Sequence, residues 1–281
     1  MDFKKLEKPY LIGEIGINHN GDIEIAKKLI DASFSTSWDC VKFQKRNPDI
    51  AVPDHQKNVM RDTPWGRMTY IDYKYKIEFE KKEFDYIKNY CDQKPIDWTA
   101  SVWDIDSLNF LLQYDIPFIK IPSAHLTNND LLIESAKTGI PIIASTGMST
   151  LEEVDTAVNI LDKYAKSYAI MHTNSSYPSK IEDLNLSLIP FFIKRYGCPI
   201  GYSGHEFGLT PSVIAVSLGA KIIERHITIN REMWGTDQSS SVEIQGMDSL
   251  YKRIKEINLI MGEPKKIVTE GELPIREKLR G

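Results

Sequence analysis

The sequence predicts an α/β protein, a closed (β/α)8 TIM barrel built from the whole 281-residue chain. Three observations predict it. Short apolar strands alternate with helical stretches about eight times, which suggests a closed parallel barrel rather than an open sheet. The first strand lacks the Gly-rich turn of a dinucleotide-binding sheet and runs instead into Glu14-Ile15-Gly16-Ile17-Asn18-His19-Asn20-Gly21. Polar residues recur late in the strands, where barrels build their sites.

The elements follow in order. Tyr10 to Gly16 reads as a strand, Ile23 to Phe34 as a helix and Cys40 to Gln44 as a strand. Arg46-Asn47-Pro48-Asp49 marks a turn and opens a long polar connection to about Lys76. Lys81 to Gln93 is helical, Asp97 to Trp103 a strand, Asp106 to Tyr114 helical and Phe118 to Ser123 a strand. Asn129 to Thr138 is a helix closed by Gly139, and Pro141 to Thr146 is a strand. Thr150 opens the next helix, with Glu153 completing a capping-box pattern. Tyr168 to Thr173 is a strand and Leu184 to Tyr196 a helix closed by Gly197. Strands at Pro199–His205 and Lys221–Ile227 flank a helix that Thr210-Pro211 opens and Gly219 closes. A last helix spans Met247 to Met261. Residues 265–281 form a C-terminal tail, charged from Glu270 onward, read as a linker or a surface strap.

Composition narrows the function. Hydrophobic content is 42% and charged content 26%, ordinary for a globular protein. A net charge of −4 gives no footprint for nucleic acid. No apolar run is long enough to cross a bilayer, and Met1-Asp2-Phe3-Lys4-Lys5 leads into no apolar signal core. Cys40, Cys91 and Cys198 are odd in number and far apart, which suggests reduced thiols and a cytoplasmic protein.

The polar residues that interrupt the strands are the candidate site. Glu14 ends the first strand. Lys42 and Gln44 share a face of the second, and Thr99 and Ser101 a face of the third. Lys120 interrupts the fourth, with Ser123 at its end. Ser145 and Thr146 end the fifth and His172 the sixth. Ser203 and His205 share a face of the seventh, Glu224 and His226 a face of the eighth. Each has an ordinary reading alone: a lysine points to solvent, a histidine is bonded in the core, a serine forms a turn, and Glu224 with Arg225 is a surface pair. Together they would bury several charges without partners. Lys42 and Lys120 in one cavity imply an anionic ligand and are expected to keep their protons beside it. Ser101, Ser123, Ser145 and Ser203 fit as donors to phosphate oxygens. Two neutral imidazoles, His205 and His226, with a carboxylate such as Glu224, fit a divalent metal with open positions. Lysines in barrels also form imines with carbonyl substrates, so a Schiff-base aldolase or lyase of keto-sugar acids stays open, as does a non-catalytic phosphosugar-binding barrel.

At these residues the sequence resembles the sialic acid synthase family from about Tyr10 to Ser241. The blocks are Glu14 to Gly21, Val41-Lys42-Phe43-Gln44, Phe118-Ile119-Lys120-Ile121-Pro122-Ser123, Ser145-Thr146-Gly147-Met148, Ile200 to Glu206 and Glu224-Arg225-His226-Ile227-Thr228. Trp65-Gly66, Thr69-Tyr70 and Glu78-Phe79 are similar to the animal-type members, which use a sugar 6-phosphate. The resemblance implies condensation of phosphoenolpyruvate with an open-chain aldose, N-acetylmannosamine, a related hexose or its 6-phosphate. The products are a 2-keto-3-deoxy sugar acid and phosphate. It implies manganese or magnesium on His205 and His226, phosphoenolpyruvate on Lys42, Ser101, Lys120, Ser123, Ser145 and Ser203, and Glu14, Gln44, Tyr177 and Asp237 around the sugar. Glu14 is the candidate for proton handling, and Asp237 and Glu224 join it as candidate catalytic residues. Two departures stand out. Ser175, preceded by Asn174, stands where bacterial members carry a phosphate-shell Asn. The chain also stops at Gly281, where the family's small antifreeze-like domain would begin. That domain reaches across a dimer to offer an Arg to the N-acetyl group. Weak dependence on an N-acetyl group is therefore expected, and a homodimer is left open.

Overall fold

A computed structural model describes residues 1–281, the side chain of Asn258 excepted. Its eight barrel strands are β1 Tyr10–Gly16, β2 Cys40–Lys45, β3 Asp97–Val102, β4 Ile119–Ile121, β5 Ile142–Ser145, β6 Tyr168–Thr173, β7 Ile200–Gly204 and β8 Ile222–Thr228. Each pairs in parallel with the next, and β8 pairs back onto β1. A two-residue strand, Val242–Glu243, pairs in parallel beside the end of β8. Parallel neighbours need crossovers, here the helices α1 Ile23–Ser35, α2 Lys81–Asp92, α3 Ile105–Leu111, α4 Asn129–Lys137, α5 Leu151–Tyr164, α6 Leu188–Tyr196 and α7 Thr210–Ser217, with α8 Ile244–Met261 following β8. Local chemistry starts and stops them. Asp22, Asp104 and Asn128 accept from the first-turn amides of α1, α3 and α4. Thr150 and Glu153 form the capping box of α5. Gly197, at φ 63°, ends α6 in the left-handed conformation that glycine adopts freely.

Two apolar layers result from period-two alternation. Val41, Phe43, Ala100 and Ile119 point outward and pack on Leu29, Ile30, Ile87 and Leu111 of the surrounding helices. Ile12, Cys40, Phe118, Ile143 and Ile222 point inward and fill the amino-terminal half of the barrel. Phe3, on a 3-10 turn that Asp2 caps, stoppers that end against the Phe118 ring. With that half filled, the inward residues two positions further along β1, β2, β4 and β8 are Glu14, Lys42, Lys120 and Glu224. Register sets their neighbours: Glu14 stands beside both Lys42 and His226, and Ser101 beside both Gln44 and Lys120.

The structure departs from expectation in three segments. The connection after β2 is folded: short helices at Pro48–Ala51 and Asp54–Lys57, a hairpin of Met60–Thr63 with Gly66–Thr69, then a helix Tyr70–Ile77. The helix expected from Leu184 begins at Leu188. A 3-10 turn, Ile181–Asp183, comes first, and Asn185 takes a left-handed φ of 43° that interrupts any continuous helix. In the tail, Leu273–Arg280 is a helix with Pro274 in its first turn, and its residues are exposed. Among the described residues no helix is long and apolar enough to cross a membrane.

Candidate active site

The carboxyl-terminal half of the barrel encloses a cavity of about 220 Å³. Lys42 and Lys120 both line it and are 3% and 2% exposed. Neither points to solvent, because inward positions in a closed barrel have no solvent to reach. Lys42 Nζ lies 2.6 Å from Glu14 Oε2 and 3.6 Å from Glu224 Oε1. Lys120 Nζ lies 3.2 Å from the same Glu224 oxygen, to which Ser203 Oγ also donates at 3.4 Å. Gln44 Nε2 donates to Glu14 Oε1 at 3.1 Å, and the Arg46 guanidinium donates to the Gln44 side-chain oxygen Oε1. Two cations and two anions thus alternate around the cavity wall.

Their electrostatics differ. Burial works to lower Lys42, but Glu14 and Glu224 outweigh it, and its pKa is raised. Lys120 is lowered: burial comes first, Glu224 opposes it, and Lys42 adds to the depression. The two lysines differ because burial outweighs the one carboxylate that Lys120 meets, whereas Lys42 has both Glu14 and Glu224 beside it. Burial works to raise Glu224, but the two lysines win and hold it below the ordinary carboxylate range. An ammonium has three donors, so each lysine can keep its carboxylate and still meet an incoming anion.

Small donors line the other side. Ser123 Oγ accepts from Gly147 N–H at 3.0 Å, and Ser145 Oγ is buried without a hydrogen-bond partner. Any Cβ on Gly147 would collide with Ser175 and crowd Ser123, so only glycine brings the backbone this close. Ser101 Oγ accepts from Trp103 Nε1 at 3.3 Å.

The imidazoles of His205 and His226 face each other with centroids 5.4 Å apart. His205 Nδ1 lies 2.6 Å from the Asn174 carbonyl, so it carries the proton and Nε2 keeps its lone pair. Tyr177 Oη lies 3.0 Å from that Nε2. Burial, then His226, pushes His205 down to about 3, which keeps it neutral. His226 Nδ1 is buried with no hydrogen-bond partner, and Asp237 Oδ2 is 3.9 Å away. The orphaned His226 nitrogen and the His205 Nε2, whose lone pair only the Tyr177 hydroxyl meets, fit a divalent ion. No group of three or more His, Cys, Asp or Glu converges among the described residues. Glu224 does not form such a group with the two imidazoles; its Oε1 faces the lysines, and its Oε2 is buried without a hydrogen-bond partner.

Several candidates are placed elsewhere. Arg225 does not pair with Glu224 on the surface; it is 1% exposed and binds Glu206 at 3.0 Å, because alternation turns it outward while Glu224 turns in. Thr99 Oγ1 donates to the Phe118 carbonyl and Thr146 Oγ1 to the Met171 carbonyl. His172 Nε2 meets the Leu184 carbonyl at 2.7 Å, and its ring lines a separate apolar groove by Phe192. Asp237 sits at the edge of the cavity rather than in its wall. Arg46, read as a turn residue, is buried between Gln44 and Glu78, which lies 3.0 Å from its Nε. Trp103 and Ser175 also line the cavity, and Asn174 orients His205. The period-two pattern could have reached Trp103, two residues beyond Ser101; no local signal pairs Arg46 with Glu78.

Known proteins share this arrangement of chain. The NeuB family profile matches residues 29–266. An N-acetylneuraminate-9-phosphate synthase of Drosophila melanogaster is 38% identical over 260 residues, 91% of this chain and 70% of that protein. An N,N'-diacetyllegionaminic acid synthase of Legionella pneumophila is 30% identical, over 96% of this chain and 78% of that protein. The crystal structure of an N-acetylneuraminic acid (sialic acid) synthetase from Leptospira borgpetersenii, in complex with citrate, superposes with a TM-score of 0.86 at 31% identity. It covers 98% of this chain and 93% of that one. With the profile spanning most of the barrel and the relatives covering nearly all of the chain, the protein belongs to the NeuB family.

Proposed function

We propose that this chain is a phosphoenolpyruvate-dependent sugar-acid synthase. It condenses phosphoenolpyruvate with an open-chain aldose, N-acetylmannosamine or a related hexose or its 6-phosphate. The observation that carries the reading is the adjacency, in one cavity, of a two-lysine cradle and a two-imidazole pair. Lys42 and Lys120 hold the carboxylate and phosphate of phosphoenolpyruvate, with Ser101, Ser123, Ser145 and Ser203 as short donors to the remaining oxygens. His205 and His226 would hold a manganese or magnesium ion, which would supply Lewis-acid polarisation of the aldehyde oxygen. Tyr177 holds the His205 ring on the sugar side, and Gln44 orients Glu14.

The reaction then runs as follows. Carbon 3 of phosphoenolpyruvate attacks the aldehyde carbon, a carbon–carbon bond forms, and the aldehyde oxygen takes up a proton. Positive charge develops at carbon 2, between the Glu14 and Glu224 carboxylates. Water adds at carbon 2 and loses a proton, for which Glu14 is the acceptor. The carbon–oxygen bond to phosphate breaks, phosphate departs with the bridging oxygen, and the ketone forms as the added hydroxyl loses its proton. The downward shift of Lys120 is the observation that favours the imine-forming alternative. Phosphate release from phosphoenolpyruvate across a panel of aldoses, with and without manganese, tests the reading. No release with any aldose would overturn it.

A further inference from the structure

The cavity wall holds an indole to which the proposed reaction assigns nothing. Period two puts Trp103 on the inward face of Ser101, one residue past the end of β3, and its ring lines the cavity. Two side chains hold that ring. The Arg46 guanidinium lies 5.2 Å from the ring centre, and the His125 ring meets it edge-on, with centroids 5.3 Å apart at 82°. The backbone beneath is pinned as well. Asp104 caps α3 through the Ser107 amide and accepts from Asn47 N–H, each at 2.7 Å. The indole N–H is therefore a donor in a fixed place.

That donor meets Ser101. Trp103 Nε1 lies 3.3 Å from Ser101 Oγ, a hydroxyl on a residue 2% exposed that stands beside Lys120 in the register. A hydroxyl has one proton to give. With the indole donating to its oxygen, Ser101 must send that proton elsewhere. Its one described acceptor is the Phe43 carbonyl at 3.5 Å, beyond the usual O–H···O distance of about 2.5–3.0 Å. The neighbouring hydroxyls show the consequence. Ser123 Oγ accepts from the Gly147 amide at 3.0 Å and so also keeps its proton for the cavity, whereas Ser203 spends its own on Glu224. Where Ser123 is held by a backbone N–H, Ser101 is held by an indole.

We propose that Trp103 is a positioning residue for the anion site: its N–H takes the Ser101 oxygen and turns the hydroxyl proton toward an oxygen of phosphoenolpyruvate. The inference rests on the proposed function, which makes phosphoenolpyruvate the ligand of Ser101. Donation into the hydroxyl oxygen also polarises the O–H bond and strengthens the hydrogen bond it gives onward. A phenylalanine would fill the same wall but would leave Ser101 free to turn toward the Phe43 carbonyl. Trp103 acts through Ser101 and needs no contact with the reacting atoms.

Equilibrium binding tests the inference without turnover. Calorimetry on the full chain measures phosphoenolpyruvate binding with manganese present and aldose absent. Trp103→Phe keeps a ring and loses the donor; it should weaken binding about 3- to 10-fold, the range of one hydrogen bond. Ser101→Ala should weaken it at least as much, and the double variant no further than Ser101→Ala alone. A ring that served packing only would add its loss to that of Ser101→Ala. Additive losses therefore overturn the proposal, as does a Trp103→Phe protein that binds like the wild type. If Trp103→Phe melts early, Trp103→Met, which fills the space without a donor, takes its place under the same criteria. A wild type that binds no phosphoenolpyruvate would remove the proposed function and this inference together, whereas an unchanged affinity in the variant removes the inference alone.

Discussion

The Arg225 guanidinium and the Glu206 carboxylate form an ion pair 3.0 Å apart, with both side chains sealed from solvent. Arg225 also donates to Ser212 Oγ and to the Gly208 and Glu206 carbonyls, and Tyr202 Oη donates to the other Glu206 oxygen. Each partner is the sequence neighbour of a candidate metal ligand: Glu206 follows His205, and Arg225 precedes His226. The pair therefore ties the ends of β7 and β8 together behind the two imidazoles. Glu206→Ala should cost about 3–5 kcal/mol, because it strands a buried guanidinium. Replacing both partners with apolar residues should cost less than that. Urea unfolding of the two variants checks the ordering, and a Glu206→Ala loss below about 1 kcal/mol would contradict the pair's assigned role.

His205→Ala and His226→Ala should each abolish phosphate release while melting close to the wild type. Both rings line the cavity rather than the apolar core, and one His226 nitrogen makes no hydrogen bond at all. Wild type treated with a chelator should be as inactive as either variant and should recover with manganese. Full activity in either variant would remove the metal from the mechanism.

Much of the architecture was legible because barrels repeat. The bounds of β1 and β6 follow from apolar runs between turn residues, and the capping box at Thr150 is a local signal. The inward face of each strand followed from period two, which brought Glu14, Lys42, Lys120 and Glu224 onto one list. Alternation cannot say which carboxylate takes which cation. Glu224 and Arg225 are adjacent in sequence yet point to opposite sides of the sheet, and Arg225 finds Glu206 only after α7 has returned the chain. The connection after β2 was opaque for another reason. Its hairpin turns on Pro64-Trp65 and carries polar residues on both sides, so no apolar period marks it. Arg46 and Lys74 become buried only when that segment folds back.

Borohydride should trap no covalent adduct at Lys42 or Lys120 in the presence of phosphoenolpyruvate and aldose. Lys120 is the residue to watch, since burial depresses it. Its ammonium nonetheless lies 3.2 Å from Glu224, and an arriving phosphate or carboxylate would restore its proton. A stoichiometric lysine adduct in the mass spectrum would favour the aldolase.

Lys74, buried on the helix Tyr70–Ile77 without a hydrogen bond or ion pair to any described residue, should leave its mark on stability against pH. Its ordinary value is 10.5 and burial brings it to about 7 in the fold. Between these values the unfolded chain binds more protons than the folded one, so stability gains a positive slope with pH. The penalty for burying Lys74 is fullest below about pH 7 and fades toward 10.5. Relative to Lys74→Met, the wild type should therefore gain roughly 2–3 kcal/mol between pH 6 and 9. Parallel pH profiles for the two proteins would show that Lys74 is not a buried, unpartnered cation.

The final prediction concerns which bond to phosphate breaks. If water attacked phosphorus, the bridging oxygen of phosphoenolpyruvate would stay on carbon 2, and the site would need a nucleophile in line with the phosphoryl group. The cavity offers something else. Ser123, Ser145 and the Gly147 amide gather on one side, suited to holding phosphoryl oxygens still. Glu14 and Glu224 stand on the other, bracketing the lysines. Negative charge there favours a cation at carbon 2 and a water oriented toward it. Phosphoenolpyruvate labelled with oxygen-18 at the bridging position should therefore pass nearly all of its label to the released phosphate. Phosphate is the product to weigh, because a ketone oxygen exchanges with water. Unlabelled phosphate would mean attack at phosphorus, and the roles given to Glu14 and Glu224 would fall with it. Glu14→Gln sharpens the test: the label should still leave with phosphate, but turnover should drop by about 10²- to 10⁴-fold, the range of a lost general base.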